Sequence, residues 1–260
     1  MNDALAPVPA PVLKLRNPTM DSPWKWLTKG WADMMRVPLW SFGYGFAFVA
    51  IGVLATVGLW AVGFESVVPA TLAGFGILGP ILAVGLYEIS RRLEMGEELN
   101  LADVALVRIA SPIQMGLLAF FLMFLFLVWM RVATLLVALF MSGTYLPFAD
   151  FIAFVLTTYD GMALLIVGSG IGAFLALSAF ALSVLSVPIL MRRDVDAVTA
   201  IVASVKCVLD NPGPMLLWAW LIAWLIAVGV LTLGVGLILA FPLAGHATWH
   251  AYRDLVEGGP

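Results

Sequence analysis

The chain has 260 residues, 63% of them hydrophobic and only 11% charged, with a mean hydropathy of +1.05. Soluble domains carry about one-quarter charged residues, so this is the composition of a membrane protein. The formal net charge of −3 argues against nucleic acid as a partner, and a single cysteine, Cys207, excludes an internal disulfide.

The N-terminal stretch is rich in Pro and Ala and lacks the apolar core and cleavage site of a secretory signal. Residues 1–21 are expected to form a disordered cytoplasmic tail. Residues 22–256 read as one membrane domain, and 257–260 as a closing tail. Six apolar segments follow in order, near 39–62, 67–93, 113–140, 162–190, 214–233 and 235–252. No charge falls within 161–191 or 211–245. The last apolar run would be ~57 Å long as one helix at 1.5 Å per residue, against a hydrocarbon core of ~30 Å. It is therefore split at "LTLGVG", with a tight turn near Gly234–Gly236.

Lys and Arg set the orientation. Twelve of the thirteen basic residues flank the same ends of these segments: Lys14, Arg16, Lys25, Lys29, Arg36, Arg91, Arg92, Arg108, Arg192, Arg193, Lys206 and Arg253. The opposite loops carry Glu65, Asp150 and Asp160 without a cation. The positive-inside rule places the basic side, and with it both termini, in the cytoplasm.

The chain also reads as a threefold repeat of helical hairpins. Amphipathic segments at 24–36, 101–110 and 195–209 are each followed by a proline (Pro38, Pro112, Pro212) and then by an apolar span. The even-numbered spans carry Pro80, Pro188 and Pro242, and "PILAVGLYEISRRL" aligns on "PLAGHATWHAYRDL". The fold class expected is all-α, a polytopic protein with six transmembrane helices and three cytoplasmic interfacial helices. Trp24, Trp26, Tyr87, Trp249 and Tyr252 are expected as interfacial anchors, since Trp and Tyr favour the headgroup level. The segment 142–161 is too polar to span and too apolar for a free loop. It reads as an interfacial helix or a re-entrant piece on the outer face.

Four stretches carry a family resemblance: "GWADMMRVPLWSFGYG", "GPILAVGLYEISRRLEMGE", "VPILMRRDVDAVTAIVASV" and "GHATWHAYRDLV". Together they resemble a bacterial family of predicted integral membrane proteins that is known only as a domain of unknown function. Some of its members carry automatic labels such as cytochrome c oxidase subunit I. The resemblance implies a six-helix protein of the bacterial inner membrane, and it implies no catalytic residues.

Little chemistry is legible. His246 and His250 share a helix face at a spacing of four. With Glu88 they form a candidate metal set. The alternative is a pair of histidines in helix packing, ~22 Å along the last span and beside the aromatic belt. A bis-histidine haem needs ligands from two helices, so no cofactor is expected. Arg131 is an intramembrane charge in "LVWMRVATLL". It reads either as an anion or lipid-headgroup site or as an ion pair with Asp150, Asp160 or Glu65. Gly79 with Ala83, and Gly168 with Gly172, have the small-xxx-small spacing that lets helices approach. No nucleophile–base arrangement is readable, so catalytic residues are not assigned. The partners expected are the lipid bilayer and a membrane-protein partner or a second copy. The function expected is a non-enzymatic accessory or assembly subunit of a larger inner-membrane complex, such as a respiratory one, with a small-solute or lipid transporter or channel as the alternative.

Overall fold

The computed structural model describes residues 13–64, 68–141, 146 and 148–258, apart from the side chains of residues 69, 148 and 149. Most of the expected N-terminal tail, Glu65 and much of the start of the 142–161 segment lie outside the described residues. Most of the described chain is helical. In chain order the helices are α1 (Ser22–Arg36), α2 (Pro38–Ala61), α3 (Val68–Leu82), α4 (Val84–Met95), α5 (Leu101–Ala105) and α6 (Pro112–Phe140). They continue with α7 (Phe148–Thr157), α8 (Tyr159–Ser183), α9 (Ser186–Arg192), α10 (Ala197–Asp210), α11 (Pro212–Leu231) and α12 (Leu237–Leu255).

Local chemistry sets many of these boundaries. Pro38, Pro112 and Pro212 open α2, α6 and α11, where a missing N–H costs nothing because the first turn has no partner for it. Side-chain caps at Asn100, Thr158 and Asp196 begin α5, α8 and α10. The segments expected as single helices at 67–93 and 162–190 are each interrupted. Pro80 lies in the last turn of α3, and the chain breaks at Ala83. Pro188 lies just after the break at Val184–Leu185. In both places the proline removes a donor and crowds the carbonyl one turn earlier. Hydroxyl groups bond other backbone groups at the two breaks. Tyr44 donates to the Leu82 carbonyl at 2.8 Å. Ser204 donates to Ala181 O at 2.7 Å and accepts from Leu185 N at 3.1 Å.

Five segments are long and apolar enough to cross a membrane: Pro38–Ala61, Ala70–Met95, Pro112–Phe140, Tyr159–Arg192 and Pro212–Leu231. The expected sixth, 235–252, does not join them. α12 carries two histidines, Arg253 and Asp254 in its second half, and is buried continuously from residue 240 to residue 249. From residue 240 to residue 249 it is a core helix, packed against α1, α2, α4 and α11.

The core lies at one end of the bundle. Three unbroken buried stretches meet there: residues 83–91 of α4, 183–191 of α8–α9, and 240–249 of α12. α12 packs on α4, and both touch α9. Around them α1 lies on α12, α5 on α4, and α10 on α8 and α9. These outer helices bury one face and expose another, with Trp24, Trp31, Met35, Val198, Val202 and Leu209 pointing outward. The region expected as an amphipathic helix over 101–110 is shorter, because α5 ends at Ala105. Within the outer-face insertion, α7 forms a helix packed against α8.

The two ends of the described chain are fastened together. Leu15 and Val256 form an isolated β-bridge. Arg16 N donates to Leu255 O at 2.8 Å, and Glu257 N donates to Lys14 O at 2.9 Å. Residues 14–16 of the expected tail are thus held against the end of α12, and both ends lie on the same side of the bundle.

Candidate functional site

The strongest concentration of polar groups inside the protein is where α1, α2, α4 and α12 converge. Glycines allow that convergence. At Gly30 an added Cβ would meet the Ala247 backbone at 2.6 Å, and at Gly245 it would meet Leu86 at 2.5 Å. Gly45 lies directly against the Ile238 backbone. Helices that approach this closely bring short side chains into hydrogen-bond reach.

His246, fully buried, bridges two serines. Its Nε2 is 3.0 Å from Ser41 Oγ, and its Nδ1 is 2.8 Å from Ser90 Oγ. The Asp33 carboxylate lies 2.8 Å from His250 Nε2; it can only accept, so His250 donates to it. A neutral imidazole carries one donor and one acceptor, so His246 donates to one of its two serines and accepts from the other. Burial pushes the Asp33 carboxyl up, but the bonds from His250 and Ser90 and the nearby imidazole charge outweigh it and hold it below the usual carboxylate range.

Two ionic clusters flank this chain. Glu88 bonds Arg91 at 2.7 Å and Arg92 at 2.8 Å. Arg91 also reaches Glu97 at 2.6 Å, and Arg92 reaches Asp103 at 2.9 Å. Glu94 joins α4 to α12 through Arg253 at 2.9 Å and the Trp249 indole at 3.2 Å. The Trp26 indole donates to Asp254 at 2.9 Å, tying α1 to the end of α12.

The residues singled out in the sequence are placed as follows. Glu88, His246 and His250 do not share a ligand position: each has its own partners. Both nitrogens of His246 are engaged, which leaves no lone pair for a metal. Among the described residues no group of three His, Cys, Asp or Glu side chains is arranged to hold a metal ion. Of the five expected interfacial anchors only Trp24 faces outward, 52% exposed. Trp26, Tyr87, Trp249 and Tyr252 are 2% exposed or less. The correction has a simple cause: α1, α4 and α11 cover the aromatic end of α12 and turn a would-be belt into core. Arg131 is exposed on α6 and makes no ion pair among the described residues; Asp150 and Asp160 are exposed too. A Cβ added at Gly172 would meet Trp129 at 3.1 Å and one at Gly168 would meet Leu136 at 3.9 Å, whereas one at Gly79 would meet open space. Ala83 is buried at the helix break.

Sequence reasoning missed Asp33, Ser41, Ser90 and Glu94. One signal was available. A buried histidine needs partners, and these are polar residues near the same ends of α1, α2 and α4.

A groove of about 250 Å³, lined by Leu118, Phe121, Phe124, Leu125, Leu182 and Ile201, is wholly apolar and shares no residue with the cluster. Chemically the cluster is a polar lock: its hydrogen bonds join four helices. Neither a curated protein nor a solved structure matches the chain. Residues 67–192, just under half of the chain and running from the start of α3 through α9, match the family described as "Predicted integral membrane protein (DUF2189)".

Proposed function

We propose that the protein is a non-enzymatic integral membrane protein of the bacterial inner membrane that serves as an accessory or assembly partner of a larger membrane complex. One observation carries this reading. The buried polar side chains of the α1–α2–α4–α12 cluster are spent on one another, while α2 buries only Ser41 and Gly45 of its whole length. What remains for recognition is a broad apolar flank. The twelve basic residues on one side favour cytoplasmic termini. A reporter fused at Val256 tests that: activity outside the cell would overturn it.

A threefold hairpin repeat would fit the same reading. The cyclic order, with α5 on α4, α10 on α9 and α1 on α12, is what three related units would give if the N-terminal helix closed the ring. Such a scaffold suits assembly more than turnover. The test is purification of the C-terminally tagged protein from native membranes in mild detergent, with partners quantified by mass spectrometry. One membrane complex in constant ratio is expected. Recovery alone, or as a homo-oligomer, would sink the proposal.

A small-solute or lipid transporter is the second reading, favoured by the interruptions of α3–α4 and α8–α9, since broken helices line many transport sites. Against it, one carbonyl at each break is already bonded, Leu82 O by Tyr44 and Ala181 O by Ser204. Arg131→Ala tests it: flux should change while the fold is kept.

A further inference from the structure

The α11–α12 hairpin is shorter than the membrane path beside it. Gly45 lies against Ile238, and a Cβ added at the turn residue Gly234 would come within 3.9 Å of Val49. α2 runs on from there to Ala61, a further ~18 Å at 1.5 Å per residue. The tip of the hairpin therefore stops well short of the far end of α2.

The tip is built for hydrocarbon. Leu231, Leu233 and Val235 are 79%, 95% and 67% exposed, and no charge lies anywhere between residues 211 and 245. The turn bonds part of its own backbone. Val235 N donates to Thr232 O at 3.2 Å and Leu237 N to Gly234 O at 3.0 Å. Thr232 Oγ1 donates to Gly229 O at 2.8 Å and accepts from Gly236 N at 2.8 Å. Internal bonding of this kind suits a turn inside a bilayer, where water is not at hand. Leu233 at φ 55° and Gly234 at φ 84° tighten the turn. Leucine rarely adopts the left-handed region, and the Leu233 side chain is almost wholly exposed there.

Tryptophan gives a depth mark. Trp220 and Trp224 stack with ring centroids 6.1 Å apart and are both more than half exposed. They lie in the middle of α11, not at its end. Tryptophan favours the headgroup level, and Leu233 lies nine residues past Trp224, or ~14 Å further in. That is close to half of a ~30 Å hydrocarbon core.

We propose that α11 and α12 form a re-entrant hairpin that enters the bilayer from the side of the termini, turns near its midplane, and leaves room above the tip for lipid acyl chains beside the far half of α2. The wall facing that space is alkyl: Val53, Leu54 and Val57 are all more than half exposed. Four crossings then remain, by α2, α3–α4, α6 and α8–α9. An even number keeps both ends on one side, as the pairing of Leu15 with Val256 requires.

The test uses full-length protein carrying Cys207→Ala, which removes the buried native thiol. Two single cysteines are compared: Leu233→Cys at the tip and Phe64→Cys beyond the end of α2. In intact cells a membrane-impermeant maleimide should modify Phe64→Cys and leave Leu233→Cys at background. In detergent both should react and remain monodisperse, which shows that each variant is folded and its thiol competent. A fluorophore on the tip cysteine, reconstituted into vesicles, should be quenched by lipids brominated near the chain ends and not by headgroup quenchers. Labelling of the tip from outside at the rate of Phe64→Cys, or quenching by headgroup probes, overturns the proposal. Val235→Cys repeats the measurement if Leu233→Cys fails to fold.

Discussion

The two ends of the helical bundle are built on different principles. At the end where the termini meet, three stretches are buried without interruption and nearly every polar side chain has a partner. Beyond them, α2 and the outer parts of α6 expose large apolar side chains such as Leu54, Val57, Leu135 and Leu139. Protein–protein packing specifies the first region atom by atom. The second region needs only to be apolar, because lipid tails are as good a neighbour as leucine. Substitutions should therefore be expensive at one end and nearly free at the other.

The sharpest contrast is between two glycines. Gly30→Val would place Cβ against the Ala247 backbone at 2.6 Å, where no flexible group can yield. It should cost about 3 kcal/mol and lower the thermal midpoint in detergent more than the loss of any one hydrogen bond at the same end. Gly79→Ala faces open space among the described residues and should gain up to about 1 kcal/mol from helix propensity. Equal effects of the two would erase the distinction between the regions.

The polar lock comes next. Ser90→Ala removes the group between Asp33 and His246 and should cost about 1–3 kcal/mol, because buried partners are left unpaired. Ser41→Ala deprives the same imidazole of its other bond. A double-mutant cycle should therefore show coupling between the serines. Additivity would mean that the chain of hydrogen bonds does not act as a unit.

Acid should loosen the same end. The Asp33 carboxyl is held below its ordinary range in the folded protein, so its contribution is present above the unfolded value and is lost as pH falls through the folded one. Asp33→Asn should flatten the acid limb of the pH–stability profile. An unchanged limb would assign acid sensitivity to other carboxylates, Glu97 among them, whose carboxyl Arg91 also holds low.

Much of the architecture was legible from period and composition. Prolines at 38, 112 and 212 marked helix starts, and apolar runs marked the membrane segments. The site was not legible. Ser41 and Ser90 carry no distinguishing pattern in the sequence, and their role exists only because α2 and α4 meet α12 at His246. Trp26, Tyr87, Trp249 and Tyr252 carried a correct compositional signal with the wrong consequence, since an aromatic ring suits a protein core as well as a headgroup layer.

The sequence alone determined that the chain is helical, lives in a membrane and carries its cations at one set of helix ends. Those properties follow from side-chain transfer energies and local backbone preferences, which each residue brings with it. Only the tertiary structure decided that the last helix is core, that the two histidines have separate partners, and that the termini are joined. These depend on which helices come close enough to touch, and a glycine against a backbone or a serine beside an imidazole has no local signature.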